Sequence, residues 1–380
     1  MSTFRGSALA LGLGLIVGVA MAAACNPTGC EGCVNEQGVC LRGTVDSACG
    51  SFGQACVACG SGSVCQQGAC SSEQPDAGPE ADAGPTDAGP APDAGPTDAG
   101  PLSGFQLVPS TTTATLRDVA AVTPTEVYAV GSGGTVLRWD GSQWSAAGSP
   151  TSLDLNSVTL AEGGGWAVGE GGTFLSLKDG TWSVYSPSPT AALLKGVSAV
   201  SARSAMAVGK EGDQRYALVW DGSKWTKFAT GAPHPYTEVS DVFMLADGAA
   251  FAAQDSMIMR WAGTDWEQLT VPTTTGLQGV WASSANEAFA VGSSGVLMRW
   301  RSSSGRVMEQ KAPFPYFHGV WGSSSSDVWA VGSGGMIMHW NGDAWTQVAS
   351  PTTQELYGVS GTGPHDVWIV GAGGTVLHGP

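Results

Sequence analysis

The chain has 380 residues, of which 42% are hydrophobic and 13% are charged, and it contains 56 glycines. This composition is typical of turn-rich globular β structure and excludes a wholly disordered chain. The formal net charge is −16, with −9 in residues 25–101 and −8 in residues 102–380, while Arg5 adds one positive charge. Neither region carries the basic field of a nucleic-acid-binding protein, so we expect no nucleic-acid partner.

Residues 1–24 have the features of an export signal. Arg5 precedes an apolar run over residues 8–19, and small residues lead up to Cys25. The placement of Cys25 resembles the lipobox of bacterial lipoproteins, in which the cysteine after the cut is acylated. The resemblance implies a lipid-anchored protein of the outer membrane or cell surface. The alternatives are ordinary cleavage, which gives a secreted or periplasmic protein, and a retained membrane anchor.

A cysteine-rich module follows at residues 25–72. After Cys25, eight cysteines lie within 41 residues, and the rest of the chain has none. They are Cys30, Cys33, Cys40, Cys49, Cys56, Cys59, Cys65 and Cys70. In an exported chain this even number predicts four disulfides of open connectivity, which stabilise a module too small to build its own core. Zinc binding by the CxxC pairs is the alternative, but the segment has no His, and we expect no metal or other cofactor.

Residues 73–101 form a predicted disordered linker. The sequence Asp-Ala-Gly-Pro occurs five times, beginning at Asp76, Asp82, Asp87, Asp93 and Asp98. Such a segment has no apolar surface to bury, and proline together with like charges extends it. At about 3.1 Å per residue, the stretch from Pro75 to Pro101 reaches roughly 80 Å, so it predicts a spacer between the cysteine module and the rest of the chain.

Residues 102–380 contain seven copies of one unit. Each unit begins with an apolar residue that is separated by two variable residues from a Val. The leading residues are Leu116, Leu155, Leu194, Val239, Leu277, Phe317 and Leu356, which gives steps of 39, 39, 45, 38, 40 and 39 residues. An Ala-Val-Gly tripeptide follows in most units, and then a Trp, an Asp-Gly or Asn-Gly turn and often a second Trp. Four short strands in about 40 residues predict one blade of a β-propeller.

The two ends of the repeat array complement each other. The seventh unit stops after its third predicted strand, whereas residues 105–108 lie 11 residues before Leu116, as Trp345 lies 11 before Leu356. We therefore predict an all-β, seven-bladed β-propeller in which an N-terminal strand completes the last blade and closes the ring.

The motifs GVW, DVWAVG and Trp-Asp-Gly resemble the repeats of bacterial neuraminidase-type (BNR) and photosystem-assembly-factor-like propellers. A sialidase in that group would need an arginine triad with a Tyr/Glu pair. Here Arg138, Arg260 and Arg299 directly precede repeat positions occupied by Trp, and we interpret them as stacking partners. The five histidines show no metal-ligand spacing. We predict that the chain is not an enzyme, with a sialidase-like, glycan-processing hydrolase as the alternative.

The units differ most in loops on one face, which carries the second-to-third turns and the blade-to-blade connections. Loops on a rigid scaffold are common binding sites, and aromatic and Arg residues are frequent interface anchors. The candidate binding residues are Lys210, Asp213, Arg215, His234, Tyr236, Phe314 and Tyr316. We predict a monomeric interaction scaffold for an envelope or extracellular protein or glycan. A purely structural envelope component is the second alternative.

Overall fold

The computed structural model describes residues 104–161, 164–230, 238–263, 265–269, 275–302, 307–311 and 316–380, with backbone alone at 307–311. Before residue 104 it describes only the backbone of six short strands. The chain divides into two compact units, residues 1–93 and 94–380. Across these described ranges, no helix is long and apolar enough to cross a bilayer.

The first unit contains three two-stranded antiparallel hairpins. Their strands are β1 (Cys33–Val34), β2 (Cys40–Leu41), β3 (Thr44–Val45), β4 (Ala48–Cys49), β5 (Ser63–Gln66) and β6 (Ala69–Ser72). The predicted export signal, Cys25, the side chains of the eight later cysteines and the linker lie outside the described residues. The lipidation and disulfide predictions therefore stay predictions.

The second unit is a seven-bladed β-propeller whose blades are four-stranded antiparallel sheets, which confirms the predicted fold. Blade 1 has β8 (Leu116–Thr123), β9 (Glu126–Gly131), β10 (Val136–Trp139) and β11 (Trp144–Ala146). Blade 2 has β12 (Leu155–Ala161), β13 (Gly164–Gly169), β14 (Phe174–Lys178) and β15 (Thr181–Val184). Blade 3 has β16 (Leu193–Ser201), β17 (Ser204–Glu211), β18 (Gln214–Trp220) and β19 (Trp225–Ala229).

The remaining blades repeat this pattern. Blade 4 has β20 (Val239–Met244), β21 (Ala250–Gln254), β22 (Met257–Trp261) and β23 (Trp266–Leu269). Blade 5 has β24 (Leu277–Ser284), β25 (Glu287–Gly292), β26 (Val296–Arg301) and β27 (Val307–Lys311). Blade 6 has β28 (Phe317–Ser324), β29 (Asp327–Gly332), β30 (Ile337–Trp340) and β31 (Trp345–Val348). Blade 7 has β32 (Leu356–Gly363), β33 (Asp366–Gly371), β34 (Val376–Gly379) and the N-terminal β7 (Gln106–Leu107).

The ring closes through β7. This strand pairs antiparallel with β34 in the register Gln106–His378 and Leu107–Leu377. Val108 N donates to Val376 O at 2.9 Å. Phe105 is buried at 6% exposure and its ring meets Trp329 edge-on, with centroids 5.2 Å apart. The predicted N-terminal strand is therefore the fourth strand of blade 7, and it leaves no open blade edge at the closure.

Basic side chains cover aromatic rings inside most blades. In five blades the central aromatic residue of the second strand faces a basic residue of the third strand across the sheet. These pairs are Tyr128–Arg138, Phe251–Arg260, Phe289–Arg299, Trp329–His339 and Trp368–His378. His378 stacks on Trp368 with centroids 3.9 Å apart, and Arg299 Cζ lies 5.5 Å from the Phe289 ring. Arg138, Arg299 and the two imidazoles pack on the aromatic ring of their own blade, whereas Arg260 lies over Trp300 of blade 5, with Cζ 6.0 Å from the ring centroid.

Four tight turns between second and third strands depend on glycine. Single 3₁₀ turns occupy Ser132–Gly134, Glu170–Gly172, Ser333–Gly335 and Ala372–Gly374. In the first of them Gly134 has φ +72°, and a Cβ there would lie 2.0 Å from Thr151 O. The backbone of the neighbouring connection therefore approaches to a distance that only glycine permits. This contact explains why the unit ends this turn with glycine.

Candidate functional site

A β-bulge recurs at one position in all seven innermost strands. The register of each first strand against the second skips the residue after the leading apolar residue. The bulged residues are Arg117, Asn156, Lys195, Ser240, Gln278, His318 and Tyr357, and all seven differ. Bulges re-aim side chains, and here they line one end of the central channel. We call these seven residues the mouth ring.

The mouth ring opens into a cavity of about 370 Å³. Arg117 donates from Nη2 to Asp154 Oδ2 at 2.6 Å and from Nη1 to Asn156 Oδ1 at 3.2 Å. Lys195 Nζ lies 3.8 Å from Glu238 Oε2, and both side chains are more than one-third exposed. Because an exposed ion pair of this length contributes little, the ammonium of Lys195 is available to a ligand. The mouth therefore presents cations and amides at its centre and carboxylates at its periphery.

Aromatic rings flank one side of the mouth. The ring of Tyr316 stacks on His318 with centroids 6.5 Å apart, and His318 lies 5.1 Å from Tyr357. Burial lowers the pKa of His318, against the opposing effect of Glu355 Oε2 at 3.4 Å. At neutral pH the imidazole is therefore a neutral hydrogen-bonding group. Tyr316 is 49% exposed, which leaves a planar apolar surface beside the cations.

Two partly buried carboxyl groups lie one residue further down the channel. Asp118 Oδ2 accepts hydrogen bonds from Ser157 Oγ and Val158 N of the next blade, and Asp241 Oδ2 accepts from Val280 N of the next blade. Burial raises the pKa of Asp118 to about 6 and that of Asp241 to about 7, and the charge of Asp118 adds to the second shift. These groups connect adjacent blades, and they titrate near neutral pH.

The other end of the channel has a different character. A cavity of about 260 Å³ there is lined by Leu160, Phe243, Met244, Trp281 and Trp321, among others. One end of the channel therefore presents charged groups and amides, whereas the other combines apolar side chains with Asp118 and Asp241. Within the described residues, no group of three or more His, Cys, Asp or Glu side chains has the spacing to hold a metal ion.

The structure brings one of the predicted site residues to the mouth ring, since Tyr316 stacks on His318. Lys210 is near the end of β17, and Asp213 is in the turn between β17 and β18. Arg215 is 6% exposed and its Nη1 donates to Asp255 Oδ2 of blade 4 at 3.0 Å. His234, Tyr236 and Phe314 lie outside the described residues. The predicted loop site thus stays a prediction, and the guanidinium of Arg215 is engaged in the seam between blades 3 and 4.

We expect the Arg215→Met substitution to lower the free energy of unfolding by about 2 kcal/mol. It leaves the carboxylate of Asp255, whose side chain is 21% exposed, without its guanidinium partner in the seam. Urea titration of the full chain measures the loss. Arg203→Met, at an exposed turn position, is the matched control and should change stability by less than about 0.5 kcal/mol. Equal stability of the two variants would contradict a structural role for Arg215.

The comparisons with known proteins concern the fold. No protein-family model matches the chain. Over 151 residues the chain is 28% identical to the immune protein Tsi7 of Pseudomonas aeruginosa, a match that covers 38% of this chain and 45% of that protein. The chain thus spans less than half the length of this curated relative.

Two solved structures share the propeller. The structure of YCF48 bound to D1 peptide superposes with a TM-score of 0.60 at 20% identity, over 72% of this chain and 96% of that one. A streptogramin B lyase superposes with a TM-score of 0.63 at 14% identity, over 72% and 96% of the two chains. At these identities the similarity establishes the β-propeller fold alone.

The prediction that the chain is not an enzyme needs correction. It rested on the lack of a sialidase-type constellation and treated the repeat as a pure scaffold. A streptogramin B lyase has the same fold over nearly its whole length, so the β-propeller fold occurs in enzymes. The absence of one hydrolase pattern therefore does not exclude catalysis by this fold.

Proposed function

We propose that the protein is a cell-envelope lipoprotein whose β-propeller binds a protein partner at the mouth ring. The main support is that the seven equivalent, bulged positions hold seven different side chains. In contrast, all seven units have an apolar residue directly before the bulge and a Val two positions after it. Packing requirements maintain the flanking residues. The bulged residues face the channel and are released from that constraint, so their chemistry is available for recognition.

The geometry suits a peptide segment. Cations and amides surround a cavity of about 370 Å³, and Tyr316 and His318 form an aromatic shelf at its edge. Aromatic anchors beside charged groups are the usual composition of interface centres. YCF48, a propeller of the same size class, has been solved with a bound D1 peptide, which supports peptide recognition as a use of this scaffold.

The binding test uses the full chain to capture envelope proteins from the source cells. We expect Lys195→Ala and Tyr357→Ala each to weaken retention of the captured partner about tenfold, because both side chains line the mouth cavity. Lys224→Ala removes the same charge from an exposed turn of the same blade and should leave retention unchanged. Retention that is equal in all four proteins would overturn the mouth ring as the binding site.

The membrane part of the proposal depends on Cys25. We expect the full chain to incorporate an alkyne-labelled fatty acid and to sediment with membranes. Cys25→Ser should abolish both, because the thiol is the acylated group. Cys30→Ser keeps Cys25 and is the control for loss of a cysteine. Labelling of the Cys25→Ser protein would show that the chain is not anchored through this residue.

A further inference from the structure

Blade 2 departs from the other blades at three equivalent positions. Where blades 1, 5, 6 and 7 have an acidic residue at the start of the second strand, blade 2 has Gly164. Where five blades have Arg or His facing the central aromatic ring, blade 2 has Ser176 facing Trp166. Where blades 1 and 3 to 6 have Trp at or next to the end of the third strand, blade 2 has Leu177 at the equivalent position. The acid, the base and the bulky ring are thus all replaced by smaller side chains.

These replacements leave a cavity of about 360 Å³ between blades 2 and 3. Trp166, Tyr185 and Trp220 form its aromatic walls, and Ser176 and Lys178 also line it. The centroids of Trp166 and Trp220 are 5.1 Å apart at 62°, and Tyr185 meets Trp220 edge-on at 5.7 Å. None of the described residues that line the cavity is acidic.

The seam between blades 5 and 6 shows what occupies the equivalent space. There Phe289 and Trp340 meet at 57°, close to the 62° between Trp166 and Trp220, and their centroids are 6.2 Å apart, against 5.1 Å for the other pair. The guanidinium of Arg299 lies over both rings, with Cζ 5.5 Å from Phe289 and 5.0 Å from Trp340. Arg299 comes from the position that Ser176 takes in blade 2. The same corner of two rings therefore carries a planar cation in one seam and lacks it in the other.

We infer that the corner formed by Trp166 and Trp220 is a binding site for the guanidinium of an arginine side chain from a protein partner. That the arginine comes from a protein partner rests on the proposed function. The site itself is inferred from the comparison of the seam between blades 2 and 3 with the seam between blades 5 and 6. A planar cation gains energy over the faces of Trp and Tyr rings, and guanidinium is the group that stacks best. The propeller's net charge of −8 favours approach of a basic partner.

The test uses the full chain labelled with ¹⁵N-tryptophan. Its indole resonances are assigned with Trp166→Phe and Trp220→Phe variants. Titration with the peptide Ac-Gly-Arg-Gly-NH2 is expected to shift the resonances of Trp166 and Trp220. The same peptide with citrulline in place of Arg keeps the shape without the charge, and we expect it to bind about fivefold more weakly, in keeping with the energy of a cation–π contact.

A variant closes the site from within. Ser176→Arg restores the residue type found in three other blades, and its own guanidinium should fill the corner and abolish the peptide-induced shifts. Gln347→Arg, at an exposed position of blade 6, adds the same charge elsewhere and should leave them intact. Lys178→Gln should strengthen binding about twofold, because it removes a like charge that lines the cavity.

Three results would overturn the inference. The first is that the indole resonances of the wild-type chain do not shift at a peptide concentration on the order of 50 mM. The others are equal affinity for the arginine and citrulline peptides, and peptide-induced shifts in Ser176→Arg that match those of the wild-type chain. The peptide comparison needs no variant, so it holds even where a substitution perturbs folding. Lys195→Ala and Tyr357→Ala should retain peptide binding. If the chain binds the peptide but the capture experiment fails, the guanidinium site is supported and the proposed function is not.

Discussion

Phe105→Ala is expected to lower the melting temperature of the propeller by about 10 °C. The side chain is buried and meets Trp329 edge-on at 5.2 Å, between blades 6 and 7. Removing a buried Phe costs about 3–5 kcal/mol, and each kcal/mol shifts the melting temperature of a domain of this size by about 2–4 °C. Differential scanning calorimetry of the full chain measures the change.

The neighbouring strand residue supplies the control for this experiment. Leu107 belongs to the same two-residue strand, but its side chain is 55% exposed. Leu107→Ala should therefore shift the melting temperature by less than about 2 °C. If the Phe105→Ala and Leu107→Ala variants have the same melting temperature, the closing strand is held by its backbone pairing alone and the buried ring is dispensable.

The second large effect concerns pH. Asp118 and Asp241 have pKa values raised to about 6 and about 7 by burial, from an ordinary value of 3.8. Between pH 4 and pH 7 the folded chain therefore holds more protons than the unfolded chain, and stability falls as pH rises. From pH 5 to pH 8 we expect these two groups to lower the free energy of unfolding by about 4 kcal/mol.

The double variant Asp118→Asn, Asp241→Asn isolates this contribution. Its amides do not titrate, so its stability should change less between pH 5 and pH 8 than that of the wild-type chain. His318 and other titrating groups are common to both proteins and cancel in the comparison. Asp327 and Asp366 add nothing in this range. Burial raises their pKa values and is the largest single effect, but hydrogen bonds from His339 and Ser323 to Asp327, and from His378 and Thr362 to Asp366, together with the imidazole charges, outweigh it and keep both pKa values below the usual one. Parallel pH profiles would contradict the shifts.

The sequence predicted the ring because its periodicity is a packing requirement. Leading residues such as Leu116 and Phe317 are fully buried, and each unit repeats them to pack one sheet on the next. The closing strand was equally predictable from the missing fourth strand of the last unit, and the pairing of Gln106 with His378 confirms it. Regular burial leaves a regular pattern in sequence, so the fold was accessible.

The candidate site was harder to predict because its signal is a lack of pattern. Residues 117 and 357 were passed over as variable positions between two anchors, and a bulge cannot be identified from residue type alone. The pairing of Ser176 with Trp166 was similarly hidden, because it has meaning only beside the pairing of Arg299 with Phe289. Both features can be found in the sequence by aligning the seven units and noting the positions at which the residue type changes from blade to blade.

The pairing of β7 with β34 also decides how the molecule bears force. A pull on the chain ahead of Gly104 reaches Phe105 first, and then the two residue pairs Gln106–His378 and Leu107–Leu377. These few contacts join the first strand of the ring to the last. They therefore form the mechanical clasp of the propeller, where tension along the preceding segment would begin to separate β7 from β34 and, through Phe105, to pull on Trp329 of blade 6.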